Sequence, residues 1–469
     1  MGRRSRLAHH DASTTDEPDY GVYAVNRQTL PVKLFRLQGK LYRKAKEDQR
    51  FRFYALYDRV YRMDVLRSAW SLVAANGGGP GLDGVTIGTL SGSDGPDGIC
   101  ALIAALHTEL KTKRYRPLPV KRTYIPKKNG GERPLGIPAV RDRIVQMAVK
   151  LILEPIFEAD FCTVSYGFRP NRNARDALAA VKEAAGRSDR LTVLDADLQG
   201  YFDTVPHDIL MRCVRKRISD GAVLRLIESW LRAPVVDPRE GGPPRRPRSG
   251  TPQGGVLSPL LANIYLHWFD KLFTRHDGPA TWANARLIRY ADDFLICARY
   301  MSPRLMQWIQ HVLEERMGLT LHPEKTRVVD LRQPGASVDF LGFSLERRPS
   351  RFIGRTTYLR WSPSSKSLQR ERDALRDLTN RRMRALCPHR LVQRVNEQLR
   401  GWWGYFAYGS CRKTARDMTY FALGRVYHNL RRRSQRRYRL PANRTWYAHI
   451  HGDLGLVRLR APGVPIVMR

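Results

Sequence analysis

The chain has 469 residues, 42% of them hydrophobic, which is enough for two or three packed domains and too apolar for a chain disordered throughout. No apolar stretch approaches the ~20 residues of a membrane helix, and the opening MGRRSRLAHHDASTTDEPD has no secretory h-region. Lys plus Arg number 82 against 44 Asp plus Glu, a net charge of +38, and a protein this basic attracts polyanions, nucleic acid above all. Arg outnumbers Lys 66 to 16, which suits bidentate phosphate contacts but also fits a GC-rich genome. The six cysteines form no Cys-x-x-Cys pair, which argues against a zinc finger or a disulfide framework. They are expected to be reduced core thiols of a cytosolic protein.

Along the chain, residues 1–30 are polar, and a helical period then runs from Leu34 to Ala75 until Gly77-Gly78-Gly79-Pro80-Gly81 ends it. A Gly/Ser/Asp/Pro loop at 91–98 precedes a helix expected over Ile99–Lys111. An extended segment follows from Pro119 to Ile125, with a turn over 127–131. Residues 139–160 read as a long apolar helix, and 191–197 (LTVLDAD) as a buried strand entering a loop. Residues 236–250 form a Pro/Gly/Arg loop, and helices are expected at 255–274 and 303–317. Between those helices, RLIRY-ADD-FLICAR is two apolar runs about a short polar turn, the pattern of a hairpin. Composition shifts after Trp361: residues 361–440 hold 20 Lys/Arg and 5 Asp/Glu, a net of +15, with helical periodicity and an aromatic stretch at 401–408.

The hairpin tip carries the chemistry. Adjacent Asp292 and Asp293 repel each other, so without a cation at least one carboxyl should hold its proton. Mg²⁺ suits carboxylates together with phosphate oxygens. Two ions ~3.5–4 Å apart can clamp the attacking and leaving oxygens of a phosphoryl transfer. Asp197 is the best candidate for a third, bridging acid, since it ends a strand and is followed at +5 by Phe202. A lone Asp-Asp would ordinarily be a solvated turn; the strand-turn-strand context argues otherwise.

Eight blocks in order over about residues 60–445 resemble the bacterial reverse transcriptase/maturase proteins encoded by group II introns, of the type lacking an endonuclease. Gly79-Pro80-Gly81-Leu82-Asp83-Gly84-Val85 resembles the template-binding block. Tyr124-Ile125-Pro126-Lys127 through Arg133-Pro134-Leu135-Gly136-Ile137-Pro138 resembles the fingers block, and Ser165-Tyr166-Gly167-Phe168-Arg169-Pro170 the next. Asp195-Ala196-Asp197-Leu198-Gln199-Gly200-Tyr201-Phe202-Asp203 is similar to the first palm block. Gly250-Thr251-Pro252-Gln253-Gly254-Gly255 with Leu257-Ser258-Pro259-Leu260 is similar to the nucleotide-contacting one. Tyr290-Ala291-Asp292-Asp293, then Glu324-Lys325-Thr326 with Phe340-Leu341-Gly342-Phe343, and finally Leu399-Arg400-Gly401-Trp402-Trp403-Gly404-Tyr405-Phe406 complete the series.

The resemblance implies that Asp197, Asp292 and Asp293 are catalytic metal ligands for two Mg²⁺ ions, with Mn²⁺ as a substitute. It implies that Lys127 and Arg133 face the triphosphate and that Gln253 and Gly254 lie under the incoming nucleotide, where glycine allows close backbone approach. Phe202 would crowd a ribose 2′-OH, and Lys325 would donate a proton to pyrophosphate. The ordinary alternatives are a surface basic turn, a Pro-Gln-Gly turn, a core Phe and a solvated Lys. Arg431, Arg432, Arg433, Arg436 and Arg437, beside Tyr427 and Tyr438, are expected to bind RNA. Trp402, Trp403, Tyr405 and Phe406 are expected to pack rather than to stack bases.

The expected fold is α+β, a right-hand polymerase whose fingers and palm contain an antiparallel sheet, followed by an α-helical thumb/maturase domain. The expected segments are a basic, partly mobile extension (1–50), fingers and palm (51–350), the helical domain (351–445) and a tail without endonuclease (446–469). The implied activity is RNA-directed DNA synthesis, with intron RNA bound to assist splicing and intron mobility by target-primed reverse transcription. The implied partners are intron RNA template, DNA or RNA primer, target DNA and dNTPs, with no membrane. A monomer and a homodimer both stay open. The expected location is the bacterial cytoplasm, associated with the nucleoid. The Val-Thr-Gly triplet of retron enzymes is absent, as is any integrase-type module. The alternatives are a domesticated intron-type enzyme of repair or defence and a splicing-only RNA-binding maturase.

Overall fold

The computed structural model describes residues 30–92, 98–126, 131–186, 189–349, 357–433 and 438–462. Among the described residues ten strands run in chain order: β1 (Val120–Pro126), β2 (Glu132–Ile137), β3 (Thr192–Ala196), β4 (Val235–Val236), β5 (Arg286–Tyr290), β6 (Asp293–Ala298), β7 (Arg327–Asp330), β8 (Ser337–Phe340), β9 (Phe343–Pro349) and β10 (Thr357–Pro363). They form three sheets, ordered β2-β1-β4, β5-β6-β3-β7 and β10-β9-β8. The chain divides into two interleaved compact units. The first comprises residues 1–161, 169–171 and 206–264, and the second comprises 162–168, 172–205 and 265–469.

The first unit is built about the helix Val140–Glu158, which is buried on nearly every face. A helix apolar all round belongs in the middle of a bundle, and the helices Val32–Glu47, Met63–Asn76 and Ile99–Lys111 pack around it. Within the segment expected to be an N-terminal extension, Val32–Glu47 buries Leu34, Leu37, Leu41 and Ala45. Gln38 Nε2 donates 2.9 Å to the Leu151 carbonyl, and Arg217 donates to the carbonyls of Ala45 and Asp48. The small sheet lies beside this bundle, β1 antiparallel to β2 and parallel to β4.

The second unit holds the four-stranded sheet, wholly antiparallel. Its β6 reads Asp293-Phe-Leu-Ile-Cys-Ala, with every residue after the aspartate buried. The apolar run that suggested a strand therefore becomes a central one, covered on both faces. Ala177, Leu178 and Val181 of the helix Ala174–Gly186, Val193 of β3, Leu295 of β6 and Leu345 of β9 share one core with Trp361 of β10. That core reaches across the composition shift near 350, because β9 and β10 pair along Phe343–Pro349 and Thr357–Pro363.

A second core in the same unit is helical. Leu375, Val392, Val395, Leu399, Met418, Val426 and Leu430 meet Ile450, Leu454, Leu456 and Leu459. This core thus continues beyond residue 445, through the helical turns Trp446–Asp453 and the irregular segment that carries Leu456 and Leu459. The two cores join through aromatic rings: Phe343 lies 5.1 Å from Phe406 and 5.7 Å from Tyr405, and Trp402 lies 4.9 Å from Phe406. Tyr405 Oη donates to the Leu341 carbonyl, and Trp403 Nε1 donates to that of Arg460. These rings pack, as expected from the sequence.

Cys213, Cys297 and Cys411 are buried, but Cys100 and Cys387 are exposed, against the expectation of core thiols throughout. Among the described residues no helix is long and apolar enough to cross a membrane. Phe343 is fully buried where the two cores meet. Phe343→Ala is expected to cost about 3–5 kcal/mol, read as a lowered midpoint in urea unfolding followed by circular dichroism.

Candidate active site

The acidic corner is set by strand register. In the β3–β6 pair Ala196 faces Phe294, so Asp197, the residue that follows β3, emerges beside Asp293, the first of β6. Tyr290 pairs with Asp293 across a two-residue turn, Ala291-Asp292. Such turns need left-handed backbone, and Ala291 has φ 58°. The chain accepts that strain in a non-glycine residue at the point where two carboxylates must project together.

Glycine is required directly beneath. A Cβ on Gly167 would overlap the Ala291 backbone nitrogen and lie 2.9 Å from the Tyr290 carbonyl carbon. The segment around Gly167 runs along β5, with Tyr166 N donating to Arg289 O and Arg289 N to Val164 O, both at 2.8 Å.

The carboxylates crowd one another. Burial, followed by the charges of Asp292, Asp197 and Asp195, pushes the Asp293 carboxyl up to about 7, with Lys325 opposing. Asp293 keeps an exposed edge, so water tempers the burial contribution, while the crowding of like charge persists. Two cations answer part of that charge: Lys325 Nζ lies 2.9 Å from Asp197 Oδ2, and Arg327 Nε lies 3.2 Å from Asp195 Oδ2. His322 N donates to the Asp197 carbonyl, which ties the loop carrying Lys325 to the end of β3.

Among the described residues no group of three or more His, Cys, Asp or Glu side chains closes into a cage that could hold a metal ion. Asp197, Asp292 and Asp293 nevertheless fit one class of cation. Their donors are all carboxylate oxygens, and Mg²⁺ is commonly held by one or two carboxylates, with water and substrate phosphate completing its shell. An acid pushed up to about 7 by burial and by the like charges around it marks a corner short of positive charge.

The other residues singled out from the sequence fall in two places. Phe202 is buried in the short helix Tyr201–Thr204, which follows Asp197 and the left-handed Gly200, and its ring meets Tyr201 edge-on at 5.4 Å. In the first unit, Arg133 Nε donates 2.7 Å to Gln253 Oε1, and Gln253 O accepts from Gly136 N at 2.7 Å. Gly254 has φ +115° and a Cβ there would stand 2.7 Å from Gly136 O, so neither strain nor space admits a side chain. The fingers strand β2 and the Pro252-Gln253-Gly254 loop thus form one structure, although 120 residues separate Arg133 from Gln253. Lys127 lies outside the described residues.

Arg431 closes the helix Arg412–Arg431 and binds Tyr427 twice, with its guanidinium 5.4 Å from the ring centre and Nη1 donating to the hydroxyl. Arg432 is exposed and Arg433 half-buried, where burial lowers its pKa. Arg436 and Arg437 lie outside the described residues.

The sequence reading passed over Asp195, Arg289 and Asp270. Arg289 is fully buried against Asp270, with Nε–Oδ1 at 2.8 Å and Nη2–Oδ2 at 2.5 Å. The available signal was a lone arginine inside the otherwise apolar run Leu287-Ile288-Arg289-Tyr290, since a charge in such a strand needs a buried partner.

An antiparallel sheet whose hairpin presents two aspartates beside a third at the neighbouring strand end defines a polymerase palm. Residues 125–345 match the family described as reverse transcriptase (RNA-dependent DNA polymerase), and residues 368–448 match the group II intron maturase-specific domain. The chain belongs to the group II intron-type reverse transcriptases with a maturase domain. It is 36% identical over 350 residues to protein YkfC of Escherichia coli (strain K12), covering 67% of this chain and 89% of that protein. It is 32% identical over 366 residues to the group II intron-encoded protein LtrA of Lactococcus lactis subsp. cremoris, covering 65% of this chain and 58% of LtrA. A 141-residue stretch is 33% identical to nuclear intron maturase 4, mitochondrial, of Arabidopsis thaliana, 30% of this chain and 17% of that protein. Reverse transcriptases of this family work with divalent metal ions.

The raised Asp293 pKa has a consequence for stability. Its folded value of about 7 stands above the ordinary 3.8, so its stabilising contribution is complete below pH ~4 and is lost as pH rises through about 7. The metal-free protein is expected to melt at a lower temperature at pH 8 than at pH 5.5. Asp293→Asn should flatten that difference, and Mg²⁺ should raise the melting temperature more at pH 8; differential scanning calorimetry with and without EDTA measures both.

Proposed function

We propose that Asp197, Asp292 and Asp293 carry out RNA-templated DNA synthesis from dNTPs with two Mg²⁺ ions, Mn²⁺ serving as a substitute. When bound, the ions supply positive charge to the attacking and leaving oxygens. The observation that carries this reading is the β3–β6 register, which supports a shared role for the acids at the two adjacent strand ends.

The protein's own groups have separable tasks. The aspartates orient the cations. Lys325 neutralises Asp197 in their absence and, with a substrate present, turns to the pyrophosphate side as a proton donor. Arg133, with Lys127, neutralises the triphosphate, while Gln253 orients Arg133 and the Gln253-Gly254 backbone lies under the incoming nucleotide. Phe202 excludes the ribose 2′-OH by bulk. Arg431, Arg432, Arg433, Arg436 and Arg437 bind RNA phosphate, a role that the net +15 over residues 361–440 supports.

The partners proposed are the intron RNA, a DNA or RNA primer, target DNA and dNTPs. Intron mobility would proceed by target-primed reverse transcription, and binding of the folded intron would assist its splicing. The cytoplasm of a bacterium, close to the nucleoid, is the proposed setting.

Primer extension on a poly-A template with Mg²⁺ tests the catalytic assignment. Asp292→Ala should cut extension by about 1,000-fold or more, and extension that survives the change would remove it. Phe202→Ala should raise incorporation of ribonucleotides relative to deoxynucleotides by about 10- to 100-fold in kcat/KM. Unchanged sugar discrimination would return Phe202 to an ordinary core role.

A further inference from the structure

The turn at Ala291-Asp292 is a poor structure to leave unsupported. It carries a left-handed alanine and two like charges, and two-residue turns in antiparallel sheets favour asparagine or glycine at such positions. What holds it lies two residues upstream. Arg289 belongs to β5, has no exposed surface and uses its guanidinium as a three-way fork. Nε and Nη2 grip both oxygens of Asp270 on the helix Ser258–Thr274. Nη2 also donates 2.8 Å to Ser165 Oγ, and Nη1 donates 2.8 Å to the carbonyl oxygen of Ala291.

A buried ion pair is not in itself a good way to stabilise a core. Well-packed apolar residues of similar volume often serve as well or better, because desolvating two charges is costly. Apolar residues cannot, however, hold a carbonyl oxygen at a fixed point. An Nη1 hydrogen of the fork does that, at the residue with the left-handed backbone, immediately before the two acids. Asp270 keeps the guanidinium planar and aimed, and Ser165 fixes its roll. Gly167 then lets the Val164–Tyr166 segment lie flush under the same turn.

We propose that Arg289, clamped by Asp270 and Ser165, is a positioning residue for polymerisation: through the Ala291 carbonyl it sets where Asp292 and Asp293 present their carboxylates to the cations. This rests on the polymerase reading above. It differs from a packing role in one measurable respect. A packing residue changes how much protein is folded, whereas a positioning residue changes how the folded protein binds metal.

The test uses the full chain. Arg289→Lys keeps a cation for Asp270 but loses the planar fork, Ser165→Ala removes one acceptor, and Val338→Ala perturbs the same unit's core away from the turn. Folding is followed by circular dichroism, Mn²⁺ binding to the free protein by electron paramagnetic resonance, and primer extension over a Mg²⁺ titration. Arg289→Lys should lower kcat by about 100-fold and weaken Mn²⁺ binding and Mg²⁺ half-saturation by about 10-fold, with Ser165→Ala shifting both in the same sense by about 3-fold. Val338→Ala should lower the melting temperature and move neither. Should Arg289→Lys not fold, Ser165→Ala decides. Folded variants that lose activity only in proportion to their folded fraction, with Mn²⁺ binding unmoved, overturn the positioning role. That result alongside an inactive Asp292→Ala overturns the positioning role alone, whereas an active Asp292→Ala overturns the polymerase reading itself.

Discussion

Three aspartate side chains at one corner of a sheet repel one another, and much of the second unit serves to hold them there. Burial, together with the charges of its neighbours, drives one of them, Asp293, to about 7, so the corner carries an electrostatic cost. The fold resists that cost with rigidity. Asp197 and Asp293 are placed by a five-residue antiparallel ladder between β3 and β6, in which a one-residue slip would send each acid to the opposite face. Lys325 and Arg327 supply exposed, adjustable charge, while the Arg289–Asp270 pair supplies buried, fixed charge. The exposed contacts are individually weak in water and can yield to a substrate, whereas the buried one cannot open without stranding a charge.

The same division between fixed and yielding parts recurs elsewhere. In the first unit a helix buried on nearly all sides anchors the bundle, while the small sheet beside it carries Arg133 and meets the Gln253-Gly254 loop through backbone contacts. Glycine at 254 is a geometric demand, since its positive φ and the Gly136 carbonyl leave no room for a side chain. In the second unit, aromatic rings tie the sheet core to the helical core: Phe343 touches Trp361, Tyr405, Phe406 and Tyr408.

Order along the chain matches the family: reverse transcriptase over 125–345, then the maturase-specific domain over 368–448. The charge of +38 belongs to a chain that must hold long polyanions. Its arginines are not equivalent, however. Arg289 and Arg217 are buried and structural, Arg431 is tied to Tyr427, and Arg432 is exposed to solvent. Net charge alone would have counted all four as RNA contacts.

Much of the architecture was legible because local chemistry decides it. The helix over Ile99–Lys111, the helix over Val140–Glu158, the strand ending just before Asp197 and the hairpin at Ala291-Asp292 all follow from periodicity and turn residues. The acidic residues were legible as candidates, because adjacent carboxylates between apolar strands repel each other and call for an explanation. What the sequence could not disclose was pairing at a distance. Lys325 meets Asp197 across 128 residues, Arg289 meets Asp270 and Ser165, and Gly167 lies under the Ala291 turn. The tertiary structure alone decided those contacts, because which buried charge finds which partner depends on how strands align in space. By itself the sequence determined the elements and the family and marked the acids as candidates, since these rest on spacing within a few residues and need no knowledge of what folds against what.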